Sequence, residues 1–455
     1  MKIKNIVTSL ATLAVVSSLN AELTNDELLK RIEVLEEKRA ETSKLKIGGD
    51  YRFSINNLEY KMANNKTVSN DALLTNRLWL NVNYKQDKHL EFNAKLAFNK
   101  VYGQVNTNGQ AAFDSFDWFG STTNTDGELR VKEAYINYRN DSLFNVNLPW
   151  KFGIGRRPTT YNKLLSLRDD QAADSPLGHI VSAEFDGGSL SLYLENMTGI
   201  SGFCIKLAAG RGSSNIAPSV FATPNADRGE NINMYSLNIT TYADENLHTE
   251  LQILQASNLI DITNAGYDRF GSFNPNNVDM SMINVGDITL ASYMAIYNIE
   301  SLSNTKVFAS VAMSQTNPKD GQAMLGSVDS EIGTSFWIGT QMESLLTEGG
   351  HWGLEFNHGS EYWRSFTYSE DTVIGSKVAT RGNAYELYFT ESLTKGLTAQ
   401  IRYTYIDYEY TGSNGFFGSQ TGTPMKISDI PSTIDLAGAA VDTAQDIRFY
   451  LRYSF

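Results

Sequence analysis

The sequence reads as an all-β chain, a 16-stranded antiparallel transmembrane β-barrel preceded by a short helix, on three observations. From Leu45 onward, apolar residues recur at every second position in segments of about ten to thirteen residues. Such segments are longer than most soluble strands and match a tilted strand crossing a bilayer. The connections between them alternate short and long, the pattern of a barrel with tight turns on one rim and loops on the other. The last segment repeats the alternation with aromatic weighting: Ile447, Phe449, Leu451, Tyr453 and Phe455 against Arg448, Tyr450, Arg452 and Ser454.

Composition agrees. The 455 residues carry 38 basic and 51 acidic side chains, a formal charge of -13 that argues against nucleic acid as a partner. The single cysteine, Cys204, excludes an intramolecular disulfide and a multi-thiolate metal site. Gly 35 against Pro 9, with 22 Phe, 23 Tyr and 6 Trp, favours turns and strands. No segment after residue 21 approaches 18 consecutive apolar residues, so no helical membrane span is expected. A hydrophobic content of 41% suits a barrel, where only alternate residues meet lipid.

Residues 1–21 read as a secretory signal peptide: Lys2 and Lys4, an apolar run from Ile6 to Leu19, and the small Ala21 before the expected cut. Its removal leaves 36 basic against 51 acidic residues, a charge of -15. Residues 22–43 are expected to form a periplasmic helix or short coiled-coil stalk. Asn25, Leu28, Ile32, Leu35 and Arg39 hold a heptad spacing. The barrel is assigned to 44–455.

Its expected strands are 45–56, 73–85, 89–100, 129–140, 148–157, 179–195, 203–211 and 232–243 in the first half. The second half supplies 247–257, 286–299, 304–314, 331–343, 352–359, 383–392, 396–409 and 444–455. Two places break the pattern. At Gly187-Gly188 the apolar phase flips, which implies a bulge or a tight turn. A turn there, with a further strand around Tyr362 to Tyr368, would make 18 strands, the fallback count. The phase also breaks at Lys132-Glu133.

The whole arrangement resembles the porin-like outer-membrane barrels of Gram-negative bacteria, and the terminal Phe455 resembles their assembly-targeting signal. Outward aromatics at the short-turn ends (Tyr84, Phe92, Tyr138, Phe152, Phe203, Trp352 and Phe389) fit an interfacial girdle. In detail the chain resembles a domain-of-unknown-function family of outer-membrane proteins with an N-terminal helix. That likeness rests on the segment Phe356-Asn357-His358-Gly359-Ser360-Glu361-Tyr362-Trp363. That detailed likeness implies little function; the porin-like architecture implies an outer-membrane channel for passive diffusion of small hydrophilic solutes or ions. The implied partners are the lipid bilayer with its lipopolysaccharide, the outer-membrane assembly machinery, and further copies in a homotrimer. No cofactor is implied.

If apolar strand positions face lipid, their alternates face the lumen. Arg52, Arg77, Arg402, Arg448 and Arg452 then form one cationic ladder where the first and last strands meet, with Arg157 also inward. The third long loop, 158–178, carries Asp169, Asp170 and Asp174. Folded inward as in porins, it would set a transverse field and a size limit against the arginines. A plugged structural or adhesive barrel with ligand-binding loops is the alternative. A remote one is an outer-membrane phospholipase using His358, Ser360 and Asn383, although that family's motif continues with Asn-Gly where this chain has Glu361-Tyr362.

Overall fold

The computed structural model describes residues 44–102, 129–158, 163–169, 178–213, 230–268, 270–367, 370 and 372–455. The expected signal segment 1–21, the helix 22–43, Asp170 and Asp174 lie outside the described residues. In chain order the strands begin with β1 (Leu45–Met62), β2 (Thr67–Lys85), β3 (Leu90–Val101), β4 (Arg130–Asn140) and β5 (Trp150–Pro158). Next come β6 (Val181–Ser182), β7 (Glu184–Tyr193), β8 (Cys204–Ser213), β9 (Ile232–Ala243), β10 (Leu247–Asn264) and β11 (Asp279–Ile299). The remainder are β12 (Thr305–Pro318), β13 (Ile332–Glu343), β14 (His351–Gly359), β15 (Phe366–Thr367), β16 (Gly382–Thr394), β17 (Leu397–Tyr408) and β18 (Val441–Ser454). Two helices matter here only as α1 (Lys163–Asp169) and the turn α2 (Glu195–Thr198).

All strands except β6 and β15 close into one barrel in which each pairs with its chain neighbours and β1 pairs with β18. Sixteen antiparallel strands therefore cross, each at a position the period-two pattern marks. Closure leaves no strand edge unpaired, which a bilayer demands. Along β18 the register sets Tyr51 opposite Tyr453, Phe53 opposite Leu451 and Ile55 opposite Phe449 on the outer face. Ile136, Ile154, Leu207, Val311, Leu354, Ile401 and Ile447 lie exposed on the same belt. Tyr84, Phe92, Tyr138, Phe152 and Phe389 of the expected girdle are exposed as well.

Three sequence expectations change. The strand expected at 179–195 starts at Glu184, and Gly187 and Gly188 sit in unbroken register opposite Gly155 and Ile154, so they form neither bulge nor turn. The apolar residues before it, Ile180 and Val181, are buried instead inside the barrel. Their β6 pairs in parallel with β15, close to where a further strand was considered, so the two extra strands exist but cross nothing. The break at Lys132-Glu133 is a β-bulge: Lys95 faces Glu133 while Leu96 faces Val131, which leaves Lys132 as the extra residue. Finally, β1–β2 and β10–β11 run several residues past their expected ends. Beyond the lipid belt both faces of a hairpin meet water, so the apolar signal stops before the strand does.

Candidate functional site in the barrel lumen

The alternation turns Arg52, Arg77, Arg402 and Arg448 inward, and register places Arg52 opposite Arg452 and Arg402 opposite Arg448. Tyr450 lies between the rungs, its ring centroid 5.6 Å from the Arg52 guanidinium carbon and 5.7 Å from that of Arg448. Asp50 accepts from Arg77 at 2.5 Å and from Arg452. Arg52, Arg77, Arg402 and Arg448 are each no more than 2% exposed, so they are packed under protein rather than bathed by lumen water. Arg157 stands opposite Phe185 in the β5–β7 ladder.

Two inward segments pack against the wall, and the first reaches the ladder at Arg402 and Arg452. The first is α1 with residues 178–183. Leu164 and Leu165 pack with Met294, Phe308, Trp337 and Val378, and Ile180 and Val181 pack with Leu290, Ala312 and Trp363. Amides from the wall serve the open carbonyls at the helix end: Gln341 Nε2 donates to Leu167 at 2.6 Å and Gln400 Nε2 to Arg168 at 2.9 Å. Asp169 touches the ladder. Its Oδ1 is 3.7 Å from Arg402 Nη1, and its carbonyl accepts from Arg452 at 2.6 Å. The sequence reading set this carboxylate across a gap from the arginines; contact instead closes the gap at that point.

The second segment, whose described residues are 360–367, 370 and 372–381, enters where two wall glycines allow backbone to approach. A Cβ on Gly333 would lie 2.2 Å from the Tyr362 carbonyl oxygen, and one on Gly359 would lie 2.1 Å from that of Thr380. Lys377 then lies between two wall carboxylates, 2.6 Å from Glu355 and 2.5 Å from Glu386. Glu386 also takes Arg168 at 3.2 Å and the Thr404 hydroxyl at 2.9 Å, and Glu355 takes the Trp337 indole N–H at 2.9 Å. Cations from both segments thus meet on the same wall carboxylates. Burial disfavours the Arg168 charge, but Glu386, Asp169 and Glu370 outweigh it and hold the guanidinium pKa above its ordinary value. Burial pushes the His179 imidazole down to about 3. His179 is therefore neutral, with Nδ1 2.8 Å from the Ser310 hydroxyl and Nε2 2.9 Å from that of Ser335.

Sequence reasoning missed Trp363, Arg364, Lys377 and Arg381. The usable signal was the density of aromatic and basic residues in a long loop. Arg381 donates from Nε to the Trp363 carbonyl at 2.9 Å and from Nη1 to those of Thr411 and Gly422 at 2.8 and 2.7 Å. Arg364 reaches the Ser413 and Gly415 carbonyls. These guanidiniums tie the inward segment to the loop above it.

The opposite wall differs. On β4–β8 the lumen-facing Arg139 and Tyr193 are exposed, Tyr135, Lys151, Cys204 and Lys206 are half-buried, and Glu133, Asn137, Ser189 and Ser191 are buried. Register sets Arg139 beside Lys151, Lys151 beside Ser191, and Ser191 beside Lys206, a polar band toward the short-turn rim.

The phospholipase geometry is not assembled. His358 Nδ1 is 3.0 Å from Asn383 Oδ1, whereas the Ser360 hydroxyl accepts the Thr334 backbone N–H at 2.9 Å. No hydrogen bond joins His358 to Ser360 among the described residues.

Residues 67–455 match the family described as "Protein of unknown function (DUF3373)". The chain belongs to that family. No curated protein matches this DUF3373 chain. Among solved structures it is similar to OmpT of Vibrio cholerae in trimer form, at 11% identity and a TM-score of 0.48, covering 90% of this chain and 99% of that one. An anion-selective porin from Comamonas acidovorans gives 10% identity, a TM-score of 0.48 and the same coverage. OprB of Pseudomonas putida gives 12% identity and a TM-score of 0.47, covering 94% of this chain and 96% of that one. A closed antiparallel barrel with an apolar belt and a polar interior belongs to the outer membrane. The DUF3373 chain is an outer-membrane β-barrel.

Proposed function

We propose that the protein is a porin-like channel for passive diffusion of small hydrophilic solutes, with the passage running along the β4–β8 wall. The observation that carries this is the uneven exposure of lumen-facing groups: Arg139 and Tyr193, toward the short-turn rim of β4–β8, are exposed, whereas Glu355, Tyr388, Gln400 and Arg402 on β14–β17 are buried. A narrow polar passage admits solutes by size and wall charge, without bond chemistry. Arg139, Lys151 and Lys206 would line it. The ladder of Arg52, Arg77, Arg402, Arg448 and Arg452, with Asp169, would instead fix the far side, and Arg157 on β5, with Asp170 and Asp174 of the loop after it, would add charge near the passage. The expected signal peptide, periplasmic helix and homotrimer are part of the same reading. Planar-bilayer recording tests it: stable conductance steps are expected, in triplets for a trimer.

A second reading, a plugged barrel working through its outer loops, is favoured by the buried lock of Lys377, Arg168, Glu355 and Glu386. Electrical silence of correctly folded protein would select it.

A further inference from the structure

At the long-loop rim, between the ends of β1, β17 and β18, lies a pocket of about 310 Å³. That volume is at the lower end of the roughly 300–1,000 Å³ of small-molecule sites. Its walls include Tyr60, Tyr408, Tyr410, Asn414, Ile374 and Leu436, and among the described residues none that lines it is Asp, Glu, Lys, Arg or His. Leu58, Ala384, Ile406, Ile427 and Ala444 pack in the same buried cluster as the lining Tyr408, Ile374 and Ala440. The pocket lies in the outer mouth, its Thr411, Ser413 and Gly415 backbone held from behind by Arg381 and Arg364.

We propose that this pocket binds an uncharged, polyhydroxylated ring compound, a sugar or a glycan end of one or two rings. A charged ligand would surrender hydration with no opposite charge to meet it. A purely apolar ligand would strand polar edges without water, which is also costly. The Tyr60 hydroxyl is committed to the carbonyls of Val373 and Ile374 at 3.1 and 3.3 Å, which holds its ring in place as a flat apolar face. The Asn414 amide nitrogen and the Tyr408 hydroxyl both approach Gly375, and that amide keeps donor and acceptor capacity. The Tyr410 hydroxyl has no partner among the described residues. Rigid aromatic faces beside a free hydroxyl and an amide suit a ring with C–H faces and O–H edges.

The test is calorimetric titration of the full chain, folded in detergent, with maltose for a free sugar, dextran for a glycan end, and gluconate as a charged control. Binding of roughly millimolar order is expected for maltose, dextran or both, whichever binds tighter naming the source. Tyr410→Ala and Asn414→Ala should each weaken it by about tenfold, a loss of about 1.4 kcal/mol, with Tyr410→Phe between wild type and alanine. The heat-dependent gel shift of a folded barrel should be unchanged in all three. Absence of heat with both neutral probes, unaltered affinity in the alanine variants, or preference for gluconate would overturn the proposal. Binding is read without conductance, so its failure is separable from failure of the channel reading.

Discussion

The two walls of the barrel share one strand pattern and have opposite fates. On β10–β18, lumen-facing side chains such as Glu355, Tyr388, Gln400 and Arg402 are buried beneath inward segments. Toward the short-turn rim of β4–β8, Arg139 keeps 49% of its side-chain surface and Tyr193 is 42% exposed, although Asn137 and Ser191 on the same strands are buried. Facing inward is therefore not the same as lining a passage. Period-two alternation decides which residues leave the lipid, and the loops decide which of them stay wet. The arginine ladder is the clearest case, because Arg402 and Arg452 meet Asp169 at the end of α1.

The comparison breaks most easily at Lys377. Lys377→Met would leave Glu355 and Glu386 buried beside a neutral chain, and losing one partner of a buried pair costs about 3–5 kcal/mol. We expect the 360–381 segment to detach, visible as a larger unitary conductance and a lower temperature for the gel shift. Unchanged values would mean that packing alone holds the segment.

His179 sharpens the same contrast through pH. Docked, its imidazole stays neutral down to about 3; undocked, it would titrate near its ordinary value of about 6.5. The undocked state therefore binds more protons between these limits. Docking of residues 178–183 should weaken as pH falls through that window, by up to about 1.4 kcal/mol per pH unit. Protease sensitivity of the segment should rise between pH 6 and pH 4, about the middle of that window, and His179→Gln should flatten the dependence.

The smallest effect on stability belongs to the open wall. Arg139 pairs with Glu91 at 2.5 Å but is half exposed, so Arg139→Ala should change stability by no more than about 1 kcal/mol. The same variant removes a cation from the proposed passage. Its reversal potential in a salt gradient should move toward cation preference, while Arg402→Gln on the covered wall should move it less.

Most of the barrel was legible because lipid imposes a simple rule on alternate residues. Every crossing strand, from Leu78-Leu80-Val82 to Ile447-Phe449-Leu451, carries it. The rule failed where apolar residues bury against protein instead of lipid. Ile180 and Val181 resemble strand residues in composition, and their β6 is indeed extended, but their partner is Phe366 and not a neighbouring crossing strand. Lys132 was opaque because a bulge is a property of two strands together. Of the candidate site, the ladder positions followed from register, whereas Lys377, Arg168 and His179 did not. Their roles depend on loops that approach the wall through Gly333 and Gly359, and no local period encodes such a meeting.

Cys204 offers the decisive measurement, since it lies half-buried on β8 beside the open band. A small charged thiol reagent added during planar-bilayer recording should react with it and lower the conductance of each open step. In a Cys204→Ser background, Ser292→Cys places a thiol on the covered wall at a position only 3% exposed. That channel should conduct normally and ignore the reagent. Equal sensitivity of both thiols, or sensitivity of position 292 alone, would contradict a passage along β4–β8.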